Sequence, residues 1–274
     1  MSRKIFILLV FIAGIAGCTP NNITIDNSLE KYFKENNLTG TFGLLDNSQG
    51  HFHIYNIKAF RDSVYTPFST FKIVSSLIGL ETGIISDEEM IIPWDGISRS
   101  VSNWNQDLSM KDAFTYSSVP WYQEMVRRIG KDTMQTWLDS LGYGSKNEPY
   151  VIADNLDTFW LDNSLKISPD EQLGVVKKLY FTQLPFKART QRVVKEVMIR
   201  EQNSNYTLAY KTGWGINENN QAVGWITGWI EENRHPYFFV LMVKSDDKDY
   251  DMSEVRIKMI KDILTQYDFF HGKK

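Results

Sequence analysis

The stretch 66-TPFSTFKIVSSLIGLETG-83 sets Ser69 and Lys72 three residues apart at the start of an amphipathic pattern. Residues at that interval share one helix face a turn apart, so the amine reaches back to the hydroxyl. At a helix start, free N–H groups and the dipole favour developing negative charge on the serine oxygen. A lysine serves as a base only when desolvated enough to be neutral, and Phe71, Ile73 and Val74 supply apolar neighbours. The same interval occurs at Ser28/Lys31 and Ser245/Lys248. The spacing alone is therefore equally consistent with a serine N-cap followed by a surface lysine. The rest of the chain has to decide.

Three later features bear on it. Ser117-Ser118-Val119 directly precedes a helix opening at Pro120, which presents Ser117 at a turn where it can relay a proton; Ser145-Lys146-Asn147 competes for that role. Lys211-Thr212-Gly213 ends an alternating apolar run, and the glycine permits close approach, so this segment reads as a carboxylate-binding edge. Arg256, on the final helical pattern, offers the same carboxylate a two-pronged fork. Each has a bland alternative: a loop serine, an edge lysine with a turn glycine, a surface arginine. With only four histidines and none in a nucleophile or base motif, no Ser-His-Asp arrangement competes. His51 and His53 alternate along a strand but lack a third ligand, so no metal site is expected.

The chain has 274 residues, 42% of them hydrophobic, enough for one sizeable core or two subdomains sharing a cleft. Charges are mixed along it, with a net of −3, which leaves no nucleic-acid footprint. Arg3-Lys4 precede an apolar run from Ile5 to Gly17, too short to span a membrane and shaped as a secretory signal over residues 1–17. The ending Ala16-Gly17-Cys18 resembles a bacterial lipobox, with Cys18, the single cysteine, as the lipidated residue and 18–27 as a polar tether. A cleaved signal with a leftover cysteine is the alternative. Either way the working domain, residues 28–274, lies outside the cytoplasm.

Along that domain, 41-TFGLLD-46 and 51-HFHIYNI-57 flank turn residues and read as a hairpin. Residues 73 to 200 are mostly helical in pattern, as in 120-PWYQEMVRRIG-130 and 131-KDTMQTWLDSLG-142. Strand patterns return at 206–215, 221–232 and 236–244, and a final helix covers Asp251–Asp268. The expected fold is α+β: one antiparallel sheet built from both chain ends and flanked by helices, with a helical subdomain over roughly 85–200 and a cleft between.

Taken in order, Ser-x-x-Lys, Ser-x-Val and Lys-Thr-Gly match the motif set of penicillin-recognising serine enzymes. The chain resembles the class D serine β-lactamases over about residues 40 to 262. The likeness runs through 67-PFSTFKI-73, through Ser75, Leu77, Ile78 and 80-LETG-83, through 94-WDG-96, 103-NW-104, 107-DL-108, 117-SSVP-120 and 122-YQE-124, and on through 159-FWL-161, 165-LKIS-168 and 171-EQ-172. Phe68 stands where the family usually has a small residue, and Ser145 replaces the asparagine of its Tyr-Gly-Asn box.

That resemblance implies the transpeptidase-like fold and hydrolysis of β-lactams, with Ser69 as nucleophile and Lys72 carrying CO₂ as a carbamate base. No cofactor is implied beyond the CO₂ or bicarbonate that forms it. Val119 and Trp160 would shape the apolar pocket around the carbamate, with the Trp160 indole N–H as its donor. The backbone N–H groups of Ser69 and Trp214 would form the oxyanion hole, Ser117 would protonate the leaving nitrogen, and Lys211, Thr212, Gly213 and Arg256 would hold the substrate carboxylate. Substrate breadth would depend on the loop Trp214–Asn220 and on entrance residues such as Trp121. Partners would be small β-lactams, with membrane contact only through the lipid anchor, and either a monomer or a homodimer. A β-lactam sensor or transpeptidase that stays acylated at Ser69, and an inert surface lipoprotein, are the other readings.

Overall fold

The computed structural model describes residues 22–144 and 149–274; the signal segment, Cys18 and Ser145 lie outside the described residues. In chain order, β1 (Ile23–Ile25) and α1 (Glu30–Glu35) precede the hairpin β2 (Thr39–Asp46) and β3 (His51–Tyr55). The helical part follows as α2 (Ile57–Arg61), α3 (Lys72–Glu81), α4 (Met110–Thr115), α5 (Val119–Ile129), α6 (Lys131–Leu141), α7 (Pro169–Tyr180) and α8 (Ala188–Met198). A two-residue ladder, β4 (Ile91–Ile92) with β5 (Leu108–Ser109), is set among these helices. Then come β6 (Ile199–Gln202), β7 (Thr207–Ile216), β8 (Ala222–Glu232), β9 (His235–Ser245) and α9 (Met252–Gln266).

One seven-stranded sheet runs β1-β3-β2-β9-β8-β7-β6, so the N-terminal hairpin joins the C-terminal meander where β2 pairs β9. The expected antiparallel sheet differs at one edge, because β1 runs parallel to β3. Between them lie α1 and β2, and a connection that long lets the chain return in the same direction. Ile23–Ile25 is thus a strand of the sheet, and the polar tether expected to reach Asn27 stops short of it.

In 238-FFVLMV-243, Phe238, Val240 and Met242 face the helical part, whereas Phe239, Leu241 and Val243 face α1 and α9. This two-residue alternation with both faces buried explains an apolar run without polar interruptions. The core is therefore two layers, one on each side of the sheet.

The helix beginnings are written locally. Ser168 and Glu171 form a reciprocal capping box at α7, with Pro169 following, and the Ser118 side chain caps α5 just before Pro120. Gly130, at φ +83°, separates α5 from α6 in a backbone conformation that favours glycine. His51 and His53 share one side of β3 with ring centroids 5.0 Å apart, and His51 bonds to the Thr24 hydroxyl of β1. Among the described residues, no helix is long and apolar enough to cross a membrane.

Candidate active site

Ser69 sits not at an N-cap but inside a 3₁₀ turn, Phe68–Phe71, that runs straight into α3. Its Oγ accepts from Lys72 Nζ at 2.6 Å. Lys72 is fully buried, and that desolvation brings its amine down to about 7 from the ordinary 10.5. Lys31 and Lys248, the lysines of the two other Ser-x-x-Lys pairs, are exposed, and Ser28 bonds to Asp26 instead. Burial separates this pair from its sequence look-alikes.

Ser117 belongs to the short connection between α4 and α5 and adopts a left-handed backbone, φ +55°. A serine held there is strained, a condition common at sites where position matters more than stability. Its Oγ accepts from Lys211 Nζ at 3.0 Å. Lys211, expected at a strand end, lies inside β7, which continues to Ile216. Because β6 pairs only with Thr207–Ala209, the outer edge of β7 beyond Ala209 is left without a strand partner. That free edge faces the Ser69 turn.

The charge pattern is one-sided. Lys211 is buried, and its pKa is pushed well below the ordinary value first by desolvation and then by Lys72, Arg200 and Arg256. Arg256 in α9 is 8% exposed, donates to the Gly213 carbonyl, and keeps its Nε without an acceptor among the described residues. Burial brings its pKa down to about 10. Four basic side chains thus converge, and the carboxylates that act on them, Asp251 and Glu254, lie by Arg256 and not by Lys211. Such a cluster is set up for an anion brought by a ligand.

Trp160 is 1% exposed, stacks on Phe71 at 5.5 Å and meets Phe159 edge-on at 5.1 Å. Its Nε1 is buried without a hydrogen-bond acceptor among the described residues, as is the hydroxyl of Ser75, one turn on from Lys72 in α3. An orphaned indole N–H is costly in a packed interior unless a ligand or modification supplies the acceptor. Val119 opens α5, partly buried. Thr212 is partly buried on β7, while Trp214 leaves 41% of its surface exposed, the reverse of a core tryptophan.

Trp121, expected at the entrance, is instead buried at 4% exposure with Nε1 donating to the Leu108 carbonyl. Its position in α5 turns it toward a cavity of about 300 Å³ shared with Trp94, Trp104 and Arg128, which contains none of Ser69, Lys72 or Lys211. Reasoning from sequence also missed Arg200 and Phe114. The Arg200 guanidinium and Lys211 Nζ lie 5.5 and 5.4 Å from the centre of the Phe114 ring, so the ring serves both cations. No motif marks either residue, because the contact joins α4, β6 and β7 across the fold.

The fold and site agree with what comparison shows. The family model described as the penicillin binding protein transpeptidase domain matches residues 33–265. Beta-lactamase OXA-48 of Klebsiella pneumoniae is 34% identical over 241 residues, covering 88% of each chain. The crystal structure of a class D beta-lactamase from Sebaldella termitidis superposes with a TM-score of 0.84 at 30% identity, over 91% of this chain and 99% of that one. The C-terminal domain of the Bacillus licheniformis BlaR penicillin-receptor superposes with a TM-score of 0.82 at 28% identity, over 90% and 97%. Identity at this level over most of both chains, on a shared fold, shows that the chain belongs to the class D β-lactamase family and is a hydrolase of that family.

Proposed function

We propose that the protein hydrolyses β-lactam antibiotics through an acyl-enzyme on Ser69, with Lys72 carbamylated by CO₂ as the general base. The observation that carries this reading is the buried Lys72 amine 2.6 Å from Ser69 Oγ, with an acceptor-less indole N–H on Trp160, whose ring stacks on the adjoining Phe71. The residues fit the group. A buried amine brought down to about 7 has a substantial neutral fraction at neutral pH, as reaction with CO₂ demands, and Trp160 Nε1 is a donor without an acceptor among the described residues. Bound there, a carbamate supplies a carboxylate base beside the nucleophile.

The remaining residues divide the work. Lys211, Thr212 and Arg256 meet the substrate carboxylate, neutralising a cluster that otherwise repels itself. Ser69 Oγ loses its proton and attacks the lactam carbonyl carbon, and the negative oxygen that develops turns to the backbone N–H groups of Ser69 and Trp214. When the C–N bond breaks, Ser117 Oγ gives its proton to the leaving nitrogen and is resupplied by Lys211 Nζ at 3.0 Å. Water then cleaves the ester, freeing Ser69 and the opened acid.

Similarity to the BlaR penicillin-receptor domain favours one second reading, a receptor that acylates and stays acylated. A chromogenic cephalosporin, with and without bicarbonate, separates them. Sustained turnover that bicarbonate increases and Ser69→Ala abolishes supports the hydrolase. A burst of one equivalent that stops, even with bicarbonate, overturns it in favour of the receptor. As part of the same reading, the protein is exported and lipid-tethered through Cys18, on the strength of residues 3–18. Fatty-acid labelling of the wild type but not of Cys18→Ala is the expected result.

A further inference from the structure

We propose that Phe68 is a positioning residue of the reaction: its ring, wedged over Gly215, sets the spacing between the Ser69 turn and the end of β7. The inference rests on the acyl-enzyme reading above, in which the Ser69 and Trp214 amides share the developing charge.

Phe68 is a non-glycine residue at φ +48°, directly before the nucleophile, and only 2% of its surface is exposed. A left-handed backbone is strained for phenylalanine, so the surrounding packing must hold it there. The packing is visible from the other strand. A Cβ added at Gly215 would lie 2.0 Å from Phe68 Cε1 and 2.3 Å from Cδ1, so the ring occupies the space a side chain at 215 would need. Two residues earlier, a Cβ at Gly213 would meet the Pro67 carbonyl at 2.9 Å and Thr70 Cγ2 at 3.2 Å. Trp214 lies between these two contacts.

The wedge matters because this part of β7 has no strand on its outer side. On that outer side the strand meets the Gly213 contact, the Phe68 ring and one hydrogen bond from Asn163 Nδ2 to the Ile216 carbonyl, 3.1 Å, while its inner side is paired to β8 as far as Ile216 and Arg256 donates to the Gly213 carbonyl. The turn has its own anchors, one of which, Asn163, it shares with the strand. Trp225 Nε1 donates to the Thr66 carbonyl at 2.9 Å, the Thr66 hydroxyl donates to Asn163 Oδ1 at 2.6 Å, and Thr70 Oγ1 donates to the Pro67 carbonyl at 2.7 Å. With the turn anchored and β7 paired on its inner side only, the ring fills the gap across which the Trp214 and Ser69 amides face each other and so helps to set its width. Phe68 does not touch substrate; it acts through the turn and the strand it separates.

The test is stopped-flow acylation of the full protein by a fluorescent penicillin, reading the dissociation constant of the first complex, the acylation rate constant and the burst amplitude. Phe68→Ala removes the wedge, and Phe68→Gly removes it while tolerating the left-handed backbone, so a folding failure of the first leaves the second. Both are expected to slow acylation by about tenfold or more with dissociation constant and amplitude within about twofold, since misplacement of a preorganised donor acts on the transition state. Gly215→Ala, with the ring still in place, is expected to slow acylation as well. Phe68→Ala combined with Gly215→Leu refills the space from the other strand and is expected to recover most of the rate.

A purely structural role would lower the amplitude and leave the rate constant alone, and that result overturns the proposal. So does unchanged acylation in Phe68→Gly or in Gly215→Ala. If the wild type forms no adduct at all, the acyl-enzyme reading fails, which is distinct from equal acylation in wild type and variants.

Discussion

Lys211 Nζ and Ser117 Oγ, 94 residues apart in the chain, meet at 3.0 Å across the cleft between β7 and the α4–α5 connection. The bond joins the sheet to the helical part, and in the mechanism proposed above it lies on the route of the proton to the leaving nitrogen. Removing the hydroxyl leaves the lysine without its bridge to the leaving nitrogen. Ser117→Ala is therefore expected to lower kcat by about 10² to 10⁴ with a smaller change in KM, the usual range for one proton-transfer group. Steady-state kinetics with a chromogenic cephalosporin checks it.

The depressed amine of Lys72 predicts a pH dependence of both rate and stability. Its folded pKa, about 7, lies below the 10.5 of the exposed side chain, so between those values the unfolded chain binds the extra proton. Stability from this group accordingly rises with pH through the window 7 to 10.5, and the full penalty of a buried charge applies below 7. Lys211 is shifted in the same direction and adds to the effect. Lys72→Met removes the buried charge. It is expected to raise Tm over wild type by several degrees, on the order of 5 °C, at pH 6, with the gain shrinking toward pH 10. Acylation by the wild type should increase as pH rises through about 7. Scanning calorimetry and a pH–rate profile measure the two.

Trp160→Phe keeps a ring against Phe71 and deletes the unpartnered N–H. Loss of a hydrogen bond to a charged group is worth about 1.5–3 kcal/mol, so turnover in air-equilibrated buffer is expected to fall by about tenfold or more. High bicarbonate should restore part of it. Unchanged turnover without added bicarbonate would mean that the indole N–H has no such partner.

Arg256 differs from the other cations in reaching the cleft from α9, behind β7. Arg256→Ala is expected to lower kcat/KM for carboxylate-bearing β-lactams by about 10- to 100-fold, mostly through KM, as expected for one charge-assisted contact. Competition binding with the Ser69→Ala protein separates the loss of affinity from any change in chemistry.

Far from the cleft, Glu232 is 1% exposed and accepts the backbone N–H groups of Phe270, Lys273 and Lys274, tying the chain end to β8. Glu232→Ala leaves those donors unmatched. It is expected to lower Tm by about 2–8 °C, corresponding to roughly 1–3 kcal/mol, with kcat/KM unchanged. Thermal unfolding and kinetics on one preparation test both halves.

Much of this was legible in the amino-acid order because local chemistry wrote it. Pro120 after Ser118 marks the start of α5, Ser168 with Glu171 marks α7, and the run at 238–243 marks a strand buried on both sides. Ser69, Lys72, Ser117 and Lys211 were legible for a different reason: each falls in a short motif whose order along the chain carries the pattern. The parallel edge strand Ile23–Ile25 was not, since three residues hold too little periodicity to oppose a reading as tether.

Motif order singles out one Ser-x-x-Lys pair, and burial is what the fold adds to that choice. Lys72 and Lys31 look alike in sequence, and what sets them apart is the packing of distant segments, Phe159, Trp160 and α5 among them, around only one. The same holds for Arg200 and Lys211 around Phe114, for Trp121 lining a cavity with Trp94 and Trp104, and for the ring of Phe68 over Gly215. Periodicity, caps and motif order are properties of neighbours along the chain. Desolvation of an amine, an indole N–H without an acceptor and the gap between two backbone amides depend on residues brought together from far apart, so they exist only once the chain has folded.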